Sequence, residues 1–138
     1  MESSLSLTKC VIKKNNASSG GGVNCSSAIN VKITDSEIIE NTAGTNTEGS
    51  GGGLEFDYCD NITLLNCNIS KNTTRGGGGI YVHNVGRTTL VNCLLSENEQ
   101  NSGALLVSNY TNDFSHGSAQ GTTTLVNCTV ACNTGGGH

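Results

Sequence analysis

Apolar and polar residues alternate along short runs of this chain, and five of the runs are near-copies of one eleven-residue phrase. The copies are Leu5-Ser-Leu-Thr-Lys-Cys-Val-Ile-Lys-Lys-Asn15, Val31-Lys-Ile-Thr-Asp-Ser-Glu-Ile-Ile-Glu-Asn41, Ile62-Thr-Leu-Leu-Asn-Cys-Asn-Ile-Ser-Lys-Asn72, Thr88-Thr-Leu-Val-Asn-Cys-Leu-Leu-Ser-Glu-Asn98 and Thr123-Thr-Leu-Val-Asn-Cys-Thr-Val-Ala-Cys-Asn133. Leu7, Ile33, Leu64, Leu90 and Leu125 share one column, with Leu5, Val31, Ile62, Thr88 and Thr123 two positions earlier. A period of two predicts strands with one face inward, and helical spacing does not fit. Cys10, Ser36, Cys67, Cys93 and Cys128 continue the inward column, and Ile12, Ile38, Ile69, Leu95 and Val130 resume it. This is the pattern of a strand pair bent near the cysteine and followed by a turn at the asparagine.

Between the copies stands a second phrase, small residues leading into an apolar strand: Gly20-Gly-Gly-Val-Asn-Cys25, Gly51-Gly-Gly-Leu-Glu-Phe56, Gly77-Gly-Gly-Ile-Tyr-Val82 and Ser102-Gly-Ala-Leu-Leu-Val107. Aligned on the cysteine column, the copies repeat at 26, 31, 26 and 35 residues. Such periods suit one coil of a solenoid, so the expected fold is all-β, a parallel β-helix of about five coils in one domain spanning residues 1–138. At one strand spacing per coil it would be roughly 24 Å long. Asn15, Asn41, Asn72, Asn98 and Asn133 recur at one corner, where Asn tolerates the left-handed backbone and its amide can bond to the Asn one coil above. They are expected to form a structural ladder.

The pairing of an apolar-x-x-Asn phrase with a Gly-Gly-apolar phrase resembles the repeats of the chlamydial polymorphic outer-membrane proteins and of bacterial adhesin-like β-helices. It stands here as Ile69-Ser-Lys-Asn72 with Gly78-Gly79-Ile80, and as Leu95-Ser-Glu-Asn98 with Gly103-Ala104-Leu105. Its first position is Ile, Leu or Val and never Phe, which favours the wider right-handed parallel β-helix group. The resemblance implies a right-handed coil and an extracellular or surface-displayed binding scaffold. Its expected partners are glycans or a host or cell-surface protein. Repeat signatures describe the coil and say little about the ligand.

Composition narrows the classes. Lys plus Arg is 7 against 11 for Asp plus Glu, with no clustered basic residues, so no nucleic-acid partner is expected. No apolar run reaches the length of a membrane span. Met1-Glu-Ser-Ser-Leu5 has neither a basic nor an apolar stretch, so no signal peptide is read there, and a secreted or cell-surface location would make this chain a mature piece. The 7 cysteines are odd in number and contain no Cys-x-x-Cys, which argues against a closed disulfide framework and against a metal site. Cys10, Cys67, Cys93 and Cys128 are expected to point inward as small apolar residues. Cys132, one before the corner asparagine, is expected outside. Sequons at Asn16, Asn24, Asn61, Asn68, Asn72, Asn109 and Asn127 arise readily in a chain this rich in Asn, Ser and Thr.

Two places offer chemistry. Asp57, His83 and Ser108 fall in one column after the second-phrase strand, with Glu55, Tyr81 and Leu106 two residues earlier. Stacking would bring Asp57 and His83 side by side outside the coil. With Glu55, Asp60 and Arg87 they would form a shallow saccharide site, Asp57 and His83 being the catalytic candidates of an alternative reading. Resemblance to β-helix pectate lyases, polygalacturonases and uronate epimerases would then imply a carbohydrate-active lyase, hydrolase or epimerase, with calcium as the cofactor. The preferred reading is non-catalytic, without cofactor, because polar residues are expected on an outer face in any case. The second place is the insertion 109–121, whose Tyr110, Asp113, Phe114 and His116 mix aromatic and polar groups suited to sugar contact. Thr122-Thr-Thr124 is a flat threonine run echoed only at Thr88-Thr89, too little for an ice-binding array. Neither end shows a polar cap, so a longer solenoid or end-to-end self-association is expected.

Overall fold

The computed structural model describes residues 3–44, 51–100, 103–108 and 121–135, and they form a parallel β-helix. The first coil contains β1 (Ser4–Thr8), β2 (Val11–Lys13), β3 (Asn16–Ala17) and β4 (Val23–Ser26). The second contains β5 (Asn30–Thr34), β6 (Glu37–Ile39), β7 (Thr42–Ala43) and β8 (Leu54–Asp57). The third repeats this as β9 (Asn61–Leu65), β10 (Asn68–Ser70), β11 (Thr73–Thr74) and β12 (Ile80–His83), and the fourth as β13 (Arg87–Val91), β14 (Leu94–Ser96), β15 (Glu99–Gln100) and β16 (Leu105–Ser108). Then come β17 (Thr122–Val126), β18 (Thr129–Ala131) and β19 (Thr134–Gly135).

Like strands stack into four parallel sheets, ordered β1-β5-β9-β13-β17, β2-β6-β10-β14-β18, β3-β7-β11-β15-β19 and β4-β8-β12-β16. The registers are those of the sequence columns: Leu7 pairs Ile33, Leu64 pairs Leu90, and Ile38 pairs Ile69. The third sheet, made of two-residue strands, has no periodic signal of its own and was not expected. Ile33, Ile38, Leu54, Phe56, Ile62, Leu64, Ile69, Ile80, Leu90 and Leu95 fill the interior. One or two inward apolar residues per strand suffice because each coil is covered by its neighbours.

The asparagine ladder is present, with a correction to its backbone. The left-handed residues are those just before it, Lys14, Glu40, Lys71, Glu97 and Cys132, with φ between 54° and 58°. Asparagine is therefore selected for its amide, not for its backbone freedom. Asn41, Asn72 and Asn98 are fully buried. The backbone N–H and Nδ2 of Asn41 both donate to Asn72 Oδ1, at 3.0 and 3.1 Å, and those of Asn72 donate likewise to Asn98 Oδ1. Nδ2 of Asn72 also donates to Ile38 O at 2.8 Å, one coil back. Each buried amide thus has partners for both of its ends.

The second phrase is the counterpart of this ladder. A Cβ on Gly22 would lie 3.0 Å from Asn41 Nδ2, and on Gly53 or Gly79 it would lie 2.9 Å from Nδ2 of Asn72 or Asn98. The glycine of one coil leaves the space that the asparagine amide of the next coil occupies. Ala104 stands at the equivalent position in the fourth coil, which is where the Gly-Gly form of the repeat lapses.

A second correction concerns the cysteine column. These thiols are inward, as expected, but they act as donors. Cys67 Sγ donates to Leu65 O at 3.2 Å and Cys93 Sγ to Val91 O at 3.3 Å, while Ser36 Oγ donates to Thr34 O at 2.8 Å. Each closes the same corner, after a left-handed Lys9, Asp35, Asn66, Asn92 or Asn127. A small side chain carrying one hydrogen is the shared requirement, which explains why Ser substitutes for Cys. All seven cysteines are free thiols, and Cys132 is exposed as expected. The neighbouring Cys67 thiol, together with burial, pushes Cys93 far above the ordinary thiol range. On the outside, Asn66, Asn92 and Asn127 each donate Nδ2 to the side-chain oxygen of Asp35, Asn66 and Asn92 respectively, a second and solvent-facing ladder. At the left-handed corner before the buried ladder, Lys14 pairs with Glu40 at 3.7 Å and Lys71 with Glu97 at 3.9 Å.

Two expectations follow. Asn72→Ala leaves a main-chain N–H and a carbonyl unpaired between coils and should cost about 1–3 kcal/mol, and Gly53→Ala should cost a similar amount by forcing Asn72 out of place. Urea unfolding of the two variants checks both, and an unchanged midpoint in Asn72→Ala removes the ladder from the account of stability. The second concerns pH. Cys59 is 1% exposed, and burial pushes its thiol up from 9.0 to about 11. An acid whose folded value is raised contributes stability below its unfolded value and loses it as pH rises toward the folded one. Stability should therefore fall between about pH 9 and 11, and less steeply in Cys59→Ala, a change that Ala28 in the same column shows to fit. Equal slopes in urea melts across that range would refute this role for Cys59.

Candidate functional site

The outward residues of the fourth sheet form two rows that cross the coils. Asn24, Glu55, Tyr81 and Leu106 are in register in one, and Ser26, Asp57, His83 and Ser108 in the other. Alternation within each strand sends Cys25, Phe56 and Val82 inward and these residues outward. Strands β4, β8 and β12 each end at a left-handed corner, occupied by Ser27, Tyr58 and Asn84 with φ of 58°, 51° and 50°. The corner turns Tyr58 back over the row that the strand has just laid down.

Asp57 and His83 meet as the sequence columns predict, with Asp57 Oδ1 2.7 Å from His83 Nδ1. Their side chains are 31% and 21% exposed. Nε2 of His83 lies 3.1 Å from Asn84 Nδ2, an amide nitrogen that can only donate. Neutral His83 therefore carries its proton on Nδ1, donated to the Asp57 carboxylate, and accepts at Nε2. Two aromatic rings enclose the imidazole. Tyr81 stacks on it at 5.9 Å between centroids with planes 14° apart, and Tyr58 meets it edge-on at 5.7 Å and 65°. Tyr58 is 40% exposed.

Glu55 was expected on a solvated strand. It is instead only 9% exposed, because Ser19 Oγ donates to its Oε2 and Asn24 Nδ2 approaches the same oxygen at 3.4 Å. Asp60 and Arg87 fall past the corner, on the approach to the first sheet, where Arg87 N donates to Asp60 O at 2.8 Å. They join through the backbone, outside the strands of the fourth sheet. Ser108 follows His83 in register, but Nε2 faces Asn84, so the column is not a nucleophile–base pair. Among the described residues no group of three or more His, Cys, Asp or Glu converges to hold a metal ion. Tyr110, Asp113, Phe114 and His116 lie outside the described residues.

Four coils of in-register parallel strands and a buried amide ladder agree with the match of a family model described as "right handed beta helix region" to residues 2–138. The chain belongs to the right-handed β-helix family. Neither the curated proteins nor the solved structures contain a match to it. Within this β-helix, sequence columns found Asp57, His83, Glu55 and Tyr81. They missed Tyr58 and Asn84, which stand at the corner row with Ser27 and become visible only when the residue after each second-phrase strand is aligned as well.

The tautomer gives a direct check. Long-range proton–nitrogen correlation spectra of neutral His83 should show Nδ1 protonated, and Asp57→Asn should shift the ring toward the Nε2 form. An Nε2-protonated ring in the unsubstituted protein would mean that the Asp57 contact is not made.

Proposed function

We propose that this β-helix is a non-catalytic, extracellular or surface-displayed scaffold that binds glycan on the outer face of its fourth sheet. The observation that carries this reading is the set of Tyr58, Tyr81 and His83 rings beside Asp57, Glu55 and Asn84 on one rigid surface. Aromatic rings accept the C–H faces of sugars, and carboxylate and amide groups bond their hydroxyls. Sites of this kind need side chains held in place before the ligand arrives, which a stack of paired coils provides. The adhesin-like character expected from the repeat phrases fits the same surface.

A second reading, a carbohydrate-active lyase, hydrolase or epimerase, is favoured by one observation. The Asp57 carboxylate orients His83 so that Nε2 can accept a proton, the arrangement of a general base. Against it, the neighbouring Asn84 occupies that nitrogen and Glu55 is tied to Ser19 and Asn24. The two readings part in one experiment. The protein is incubated with a polysaccharide panel, with and without calcium, while binding, reducing ends and unsaturated uronates are measured. Binding without turnover is expected, whereas turnover abolished in Asp57→Ala or His83→Ala would establish the enzyme.

A further inference from the structure

The charge of the fourth-sheet face is one-sided. The outward residues of β4 are Asn24 and Ser26, of β8 Glu55 and Asp57, of β12 Tyr81 and His83, and of β16 Leu106 and Ser108. No Lys or Arg is among them. Both carboxylates project from one strand, and His83 spends its Nδ1 proton on Asp57. Uronate or sulfate chains would meet like charge on these strands, with a desolvation cost.

Resting on the glycan-binding reading above, we infer that this face selects saccharides carrying a protonated amine, of the glucosamine class, over neutral or acidic ones. Three features of the surface support this. The carboxylate of Asp57, about one-third exposed, accepts a charge-assisted hydrogen bond from an ammonium group. The exposed ring of Tyr58, next along the chain, offers both a stacking face and an attraction for the cation. Acetylating the amine removes the charge and leaves the stacking, so the two contributions separate in one ligand series. Each coil advances the surface by about 4.8 Å, comparable to one sugar of an extended chain, so Tyr58 and Tyr81 on successive coils can contact successive residues.

The test is isothermal titration of the whole chain, at neutral pH, with matched oligomers of glucosamine, N-acetylglucosamine and galacturonate. Glucosamine oligomers should bind at least about tenfold more tightly than the acetylated ones, and galacturonate should not bind. Asp57→Asn should remove that preference. Tyr58→Asn, in which Asn fits the left-handed backbone, should weaken all binding. Glu37→Gln, an equal change of charge on the second sheet, should alter nothing. Thermal unfolding followed by circular dichroism confirms that each variant is folded. Equal or tighter binding of the acetylated oligomers would overturn selection for the amine while leaving glycan binding standing. Glucosamine binding lost equally in Glu37→Gln and untouched in Tyr58→Asn would reduce it to general charge attraction and overturn the site. Binding of none of the three would remove both the selection and the glycan reading on which it rests.

Discussion

One amide per coil holds this molecule together. A parallel β-helix must turn its chain sharply several times in each coil, and every turn threatens to leave main-chain groups buried without partners, at a cost of about 1–3 kcal/mol each. Asn41, Asn72 and Asn98 meet that demand from inside, each receiving two donors from the coil on one side and donating to the coils on both sides. The last glycine of each second-phrase run serves this contact, since a Cβ on Gly22, Gly53 or Gly79 would press on the amide. Two motifs that look independent along the chain are the two halves of one joint.

Most of the fold was legible because the periodicity of the chain is the periodicity of the coil. Inward columns read from alternation, Leu64 over Leu90 or Ile38 over Ile69, are the observed strand partners. What escaped was local. The two-residue strands of the third sheet, such as Thr73–Thr74, are too short to show alternation. The left-handed turns fall on Lys14, Glu40, Lys71 and Glu97, residues with no propensity for that backbone. They are held there because paired coils fix the corner and leave the side chain in water. The cysteine column was read as apolar because size alone predicts burial. Its donor role appears only once Ser36 and Cys67 are seen to donate to the carbonyl two residues earlier.

The candidate site shows the same division. Contact between Asp57 and His83 follows from register, as any directly stacked pair does. Burial of Glu55 does not, for it depends on Ser19 in the preceding segment, whose approach no repeat specifies. Tyr58 is the clearest case. Its place in the sequence marks it as a turn residue beside Ser27 and Asn84, and only the corner geometry converts it into a ring over the imidazole of the next coil. A repetitive scaffold thus makes its backbone predictable and leaves its chemistry to the residues that depart from the repeat.

The ion pairs at the left-handed corner alternate in sign along the axis, Lys14, Glu40, Lys71, Glu97. Each exposed pair contributes under about 1 kcal/mol, so their effect on stability is slight. Over these four coils the alternation lays a charge period of two coils on a structural period of one, and Cys132 ends it at the fifth corner. Duplication or loss of a coil pair preserves opposite neighbours, whereas duplication or loss of a single coil sets like charges against each other on the same corner.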